Sequence, residues 1–151
     1  DYISKFVMGK YWRQMDAEQQ TQYQSLFKRY ALALYKGFPL TFKDNINFAV
    51  TDVIVKGNQA DVITEIKVEG QEETSPFSRI SITFRLDKKN SQIKIIDLKL
   101  AESSLILSYR NQFYKMMSEV DDDIIWFLED LETTTLSTEE HNRIKLEQAG
   151  Y

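Results

Sequence analysis

Residues 59 to 69 read QADVITEIKVE, and residues 79 to 86 read RISITFRL. In the first stretch Ala60, Val62, Thr64, Ile66 and Val68 alternate with Asp61, Glu65 and Lys67. In the second, Ile80, Ile82, Phe84 and Leu86 alternate with Arg79, Ser81, Thr83 and Arg85. A period of two sends the two sets to opposite sides of an extended chain, so each stretch predicts a strand with one apolar and one polar face. Residues 46 to 56 and 92 to 100 share the bias towards β-branched and aromatic side chains, and the third strand is drawn over 77 to 87. Turn signals separate the four at Gly57-Asn58, from Gly70 to Pro76 and from Asp87 to Ser91. Short connections between consecutive strands predict an antiparallel meander, with its first tight hairpin at Gly57-Asn58, where a positive φ costs little.

On both sides of this block the apolar period becomes helical. Tyr2, Ile3, Phe6, Val7, Met8 and Tyr11 predict a helix over residues 1 to 14. Asp16 followed by Gln19 is a capping box that starts the next helix near Ala17. Its stripe is Tyr23, Leu26, Phe27, Tyr30, Ala31, Leu34 and Tyr35, opposite Gln20, Gln24, Lys28 and Arg29, and Gly37-Phe38-Pro39 ends it. After the strands, Leu105, Ile106, Tyr109, Phe113, Met116 and Met117 form a second stripe. Asp121-Asp122-Asp123 precedes a further helix, and Ser137-Thr138-Glu139-Glu140 predicts the cap of a last, mostly polar one. Helices before and after an antiparallel sheet give an α+β fold: a twisted four-stranded antiparallel meander wrapped by N- and C-terminal helices. Such a wrapped sheet can enclose an apolar cavity.

With 151 residues and 17.8 kDa, the chain fits one domain spanning residues 1 to 151. Apolar residues make up 42%, while Pro (2) and Gly (5) are scarce, which excludes disordered and low-complexity classes. Nine Phe, eight Tyr and two Trp supply more bulk than a minimal core needs. The net charge of -4 and the absence of any basic run longer than two residues argue against nucleic acid. Zero cysteines remove disulfides, thiol nucleophiles and thiolate metal sites. No apolar run reaches the roughly 18 to 20 residues that span a bilayer, so a soluble chain is expected. It opens on Asp1 rather than Met, which we read as a mature chain with an upstream segment removed.

Little in the sequence announces catalysis. His141, the sole histidine, lies among Glu139, Glu140, Asn142 and Arg143 and reads as a surface residue. The Asp121 to Asp123 run lacks the following oxygen ligands of a calcium loop and reads as helix capping, so no metal site is expected. Asp97 sits in Ile93-Lys94-Ile95-Ile96-Asp97-Leu98, where desolvation could make it a base. That supports one rival reading, a small cone-shaped enzyme of the steroid-isomerase type with Asp97 as base and a tyrosine as hydrogen-bond donor. A second rival is an adaptor with a solid core. Phosphate loops, nucleophile elbows and paired metal-spaced histidines are missing from the sequence.

Specific residues carry a family resemblance. Gly9-Lys10-Tyr11-Trp12-Arg13, Asp16-Ala17-Glu18-Gln19-Gln20, Phe27-Lys28-Arg29 and Tyr35 resemble the opening helical signature of the MlaC family, the toluene-tolerance auxiliary component of an ABC transporter. Ile93-Lys94-Ile95-Ile96-Asp97-Leu98 resembles its last strand, and Ser104-Leu105-Ile106 with Tyr109-Arg110-Asn111-Gln112-Phe113 resembles the helix that follows. The order holds from about residue 5 to 132, and residues from about 133 onward form a C-terminal extension. One departure is that members often have Glu-Gly where this chain has Ala101-Glu102, so the turn must be made without glycine.

The resemblance implies a periplasmic phospholipid carrier of a Gram-negative bacterium, with no catalytic residues and no cofactor beyond its phospholipid cargo. Its implied partners are the MCE-domain substrate-binding subunit of an inner-membrane ABC transporter and an outer-membrane lipoprotein complex, and its implied task is to maintain outer-membrane lipid asymmetry. Lipid held inside such a fold needs an apolar lining. The stripes supply candidates: Tyr23, Phe27, Tyr30 and Leu34 from the long helix; Val62, Ile66, Ile82 and Phe84 from the sheet; Leu105, Tyr109, Phe113 and Met116 from the later helix. Met116 and Met117 add flexible thioether stems, and Arg110 and Lys115 are candidates for head-group contact.

Overall fold

The computed structural model describes residues 2–36, 46–68, 79–100 and 102–148. The elements run α1 (Tyr2–Met8), a 3-10 turn (Gly9–Arg13), α2 (Ala17–Lys36), β1 (Ile46–Lys56), β2 (Gln59–Val68), β3 (Arg79–Lys89), β4 (Gln92–Leu100), β5 (Ser103–Ser104), α3 (Leu105–Glu119) and α4 (Ile124–Gln148). They form two compact units: a helical one, Asp1–Leu40 with Arg110–Tyr151, and a sheet one, Thr41–Tyr109. The boundary falls within α3. The expected stop at Gly37-Phe38-Pro39 and the turn from Gly70 to Pro76 lie outside the described residues. Among the described residues, no helix is long and apolar enough to cross a membrane.

The sheet is a purely antiparallel meander in the order β1-β2-β3-β4-β5. Among the described residues it has five strands, not the four expected. The fifth is two serines paired with Lys99 and Leu100, and two polar residues carry no alternation by which to be seen. The turn that folds them back on β4 includes Glu102 at φ 66°, a left-handed conformation held without glycine. At the hairpin, Lys56 pairs with Gln59 and Gly57 takes φ 62°, as its turn requires. β3 runs two residues beyond expectation, and Asn90 and Ser91 turn the chain with φ 50° and 63°.

Two bulges decide which residues share a face. In β1, Val50 pairs with Thr64 and Asp52 with Ile63, leaving Thr51 as the extra residue; Val53 and Val55 then stand opposite Val62 and Ala60. In β4, Asp97 pairs with Arg85 and Ile95 with Leu86, leaving Ile96 extra. Without these insertions, Val53, Val55, Ile93 and Ile95 would turn to the charged side.

The helical unit is built around Phe113 of α3. Its ring lies 6.1 Å from Tyr23, 6.0 Å from Phe27, 5.9 Å from Tyr30 and 5.5 Å from Phe127 of α4. The Tyr23 hydroxyl donates to the Ser4 carbonyl at 2.9 Å, tying α2 to α1, and burial pushes its phenol above the ordinary range. The helix expected over residues 1 to 14 is broken at Gly9, whose φ is 52°. A Cβ there would fall on the Tyr114 hydroxyl and 2.7 Å from Arg110 Nη2. The Asp16 box forms in both directions: Gln19 N–H donates to Asp16 Oδ1 at 2.8 Å, and Asp16 N–H to Gln19 Oε1 at 3.0 Å.

α4 corrects the expectation of a separate helix at Ser137. The Thr135 and Thr138 hydroxyls donate to the Leu131 and Thr134 carbonyls, so these side chains bond inside a continuing helix instead of capping a new one. α2 clamps the same segment. Arg29 donates to both oxygens of Glu139, and Asn142 Nδ2 donates to the Ala33 carbonyl at 2.7 Å.

Candidate functional site

The register places Phe48, Val50, Val53 and Val55 of β1, Val62 and Ile66 of β2, Ile80, Ile82 and Phe84 of β3, and Ile93, Ile95, Leu98 and Leu100 of β4 on one face of the sheet. The sheet candidates meet directly across strands: Val62 faces Phe84, and Ile66 faces Ile80. Burial grades along this face. Ile66 and Ile80 are buried, Val62, Ile82 and Phe84 are half-buried, and the outer strands lie open, with Phe48 at 56%, Val55 at 69% and Ile93 at 65% exposure. An apolar face this open is uncommon on a protein with nothing to bind. That the β1 and β4 aliphatics share this face is not legible from sequence, because their placement depends on the two bulges.

The opposite face is charged and self-satisfied. Arg85 donates to Asp61 through Nε at 2.8 Å and Nη2 at 3.0 Å, and Lys99 Nζ stands 3.8 Å from the same carboxylate. The Arg85 hydrogen bond holds the Asp61 carboxyl below its ordinary value, and Asp61 in turn raises Arg85. The sheet thus gathers its aliphatic rows on one face and the Asp61, Arg85 and Lys99 cluster on the other.

The other lining candidates occupy different places. Tyr23, Phe27, Tyr30 and Phe113 come together as the ring cluster of the helical unit. Met116 is half-buried there, whereas Leu34 is exposed, because α2 buries Ala33 instead. Leu105 is exposed and Tyr109 buried at the start of α3, in the sheet unit. Arg110 donates to the Phe6 carbonyl and the Tyr114 hydroxyl, both at 3.2 Å, and lies over the Phe6 ring, so it secures α1. Lys115 pairs with Glu119 in the open.

Asp97 is mostly buried, and its oxygens are engaged. Oδ1 accepts from Leu98 N–H at 2.8 Å and Ile106 N–H at 3.3 Å, and Oδ2 accepts from the Ser104 hydroxyl at 2.6 Å. Ser104 accepts in turn from Leu107 N–H at 3.1 Å, so the pair caps α3. Asp123 caps α4, accepting from Ile125 and Trp126 N–H at 2.8 and 3.0 Å, while Asp122 accepts from the Tyr11 hydroxyl at 2.5 Å. Beside them Val120, Asp121, Asp123 and Trp126 line a surface hollow of about 400 Å³. Among the described residues, no cluster of His, Asp or Glu could hold a metal ion, and His141 is exposed on α4.

Comparison with known proteins agrees with this architecture. The family model described as MlaC protein matches residues 1–132. A search of curated proteins gives no match. Among solved structures, the chain is similar to a phospholipid-binding protein from Ralstonia solanacearum, solved in complex with a phospholipid. The two share 21% identity with a TM-score of 0.77, over 91% of this chain and 73% of the other.

Proposed function

Since the chain belongs to the MlaC family, we propose that it is a phospholipid carrier whose apolar sheet face takes the acyl chains. The supporting observation is the open aliphatic surface of β1 and β4, continuous through register with Val62, Ile66, Ile82 and Phe84. A chain of roughly sixteen carbons leaving a bilayer gives up on the order of 12 kcal/mol of apolar burial, which the carrier must nearly match. Continuous apolar rows can do so; the charged rows of the opposite face cannot. The similar Ralstonia protein binds a phospholipid on the same fold, which supports the choice of cargo.

The same proposal places the protein in the periplasm of a Gram-negative bacterium. There it exchanges lipid with the MCE-domain subunit of an inner-membrane ABC transporter and with an outer-membrane lipoprotein complex, sustaining lipid asymmetry. In this reading Asp97 is a structural cap and the protein is not an enzyme. Native mass spectrometry of gently purified protein, followed by organic extraction, tests the central claim. Co-purifying phospholipid is expected; a well-folded protein that yields none would overturn it.

A further inference from the structure

Two hairpin turns lie at the same end of the sheet. Asn58 accepts from Lys88 N–H through its carbonyl at 2.8 Å, which sets the Gly57-Asn58 turn beside the start of the Asn90-Ser91 turn. Residues 53–62 and 85–96, which pair to make up this end, carry Lys56, Lys88, Lys89 and Lys94 beside the Arg85–Asp61 ion pair, with Asp87 as the other acid. The four lysines are exposed, in a chain whose overall charge is -4. Val53, Val55, Ile93 and Ile95 emerge among them, each at least half exposed. Register puts these four aliphatics on the apolar face, with Lys88 directly opposite Ile93, while Lys56 and Lys94 edge the other side.

We propose that this hairpin end docks on the surface of a bilayer containing anionic lipid, with the four aliphatics entering the head-group region and the lysines resting on its phosphates. The proposal rests on the carrier reading and adds a bilayer surface to the protein partners named there. The chemistry favours a membrane over a protein. Protein interfaces concentrate aromatic residues and arginine and are depleted in lysine, whereas here the exposed cations are all lysine and the four emerging apolar side chains are β-branched aliphatics. Lysine needs no fixed partner geometry and interacts with fluid head groups as a point charge, its stem lying along apolar surface. The apolar rows also run on without interruption from Val55 and Ile95 to Val62, Phe84 and Leu98, so a tail leaving the bilayer would meet hydrocarbon throughout.

Co-sedimentation of the full chain with vesicles of phosphatidylglycerol and phosphatidylethanolamine, against vesicles of phosphatidylcholine, tests this at low and high salt. Wild type should bind the anionic vesicles at low salt, bind phosphatidylcholine weakly, and lose affinity as salt screens the lysines. Lys88→Gln with Lys94→Gln should weaken binding roughly 25-fold, at about fivefold for each lysine near an anionic surface. Val55→Thr with Ile93→Thr, which keeps β-branched residues in both strands, should weaken it with the charge unchanged. Absence of wild-type binding to anionic vesicles, or lysine and threonine variants that bind as wild type does, would overturn the proposal. Phospholipid extracted from the same preparations separates the two claims. Lipid-bearing protein that ignores vesicles refutes the docking surface alone, and vesicle-binding protein without lipid refutes the carrier alone.

Discussion

Replacing Asp97 tests whether a buried carboxylate holds the junction between β4 and α3. It accepts three hydrogen bonds, from Leu98 N–H, the Ser104 hydroxyl and Ile106 N–H, at 2.8, 2.6 and 3.3 Å. Asp97→Ala removes the acceptor from all three. The Leu98 bond is a local one to the adjoining residue, and the other two donors lose a charged acceptor in a mostly buried place, at about 1.5 to 2 kcal/mol each. The cap on Leu107 N–H also loosens once Ser104 is no longer oriented. A loss of about 3 to 4 kcal/mol follows, a large part of the roughly 5 to 15 kcal/mol that stabilises a typical domain. Asp97→Asn should lose only about 1 to 2 kcal/mol. Its amide oxygen still accepts the two backbone donors, and its NH₂ can face a Ser104 hydroxyl that has turned to accept. Urea titration with a slope near 2 kcal/mol/M would show midpoint drops of about 1.5 to 2 M for Ala and 0.5 to 1 M for Asn. Phospholipid recovered per folded Asn variant should equal wild type. Equal, small losses for both variants would refute the capping account, and an Asn variant that stays stable yet abolishes an enzymatic turnover would revive Asp97 as a base.

Two other outcomes follow from the sheet unit. Glu102 holds φ 66° without being glycine, so Glu102→Gly should raise stability by about 0.5 kcal/mol, the relief of roughly 1 kcal/mol of left-handed strain less the added freedom of the unfolded chain. Thermal unfolding would show a rise of about 1 to 2 °C, and a fall would mean that the Glu102 side chain contributes more than its backbone strain costs. The Arg85 bond keeps the folded Asp61 carboxyl below its unfolded value of 3.8, so its contribution is complete above that pH and is lost as pH falls through the lower folded value. Wild type should therefore lose stability more steeply below about pH 4 than Asp61→Asn; parallel denaturation midpoints from pH 5 to pH 3 would contradict this.

What could be read from the sequence follows the range over which each signal acts. The four long strands were legible because alternation and turn residues are local, and the Asp16 box was legible because its two hydrogen bonds span only three residues. The Asp121 to Asp123 run capped a helix as its charge and position required, through Asp123. Gly9 shows the opposite case. The apolar spacing runs through it as one helix, and what requires glycine is the approach of Tyr114 and Arg110, about a hundred positions away. At Ser137 the local signature was present and was overridden. A capping box needs its first residue to leave the helix, and the bonds from Arg29 and Asn142 across to the partner helix hold that backbone in it.

The same distinction governs the candidate site. That Val62, Ile66, Ile82 and Phe84 share a face could be read in advance because β2 and β3 keep an unbroken period of two and pair without irregularity from Gln59 to Lys67. In β1 and β4 the period slips once. The slip is visible in hindsight as the three-residue step from Val50 to Val53 and the adjacent Ile95-Ile96, but one sequence does not say whether such a step is a bulge or an outward-facing aliphatic. Cross-strand pairing settles the choice, and it settles it identically on both sides of the sheet: each bulge returns the aliphatics near the hairpin end to the apolar face. Two independent insertions with the same consequence keep the aliphatics of β1 and β4 on one face from Phe48 and Leu100 to Val55 and Ile93, although the outermost of these residues stay in water. Folding alone gains little from aliphatics left half exposed. Under the proposed carrier function, hydrocarbon from another molecule completes the burial.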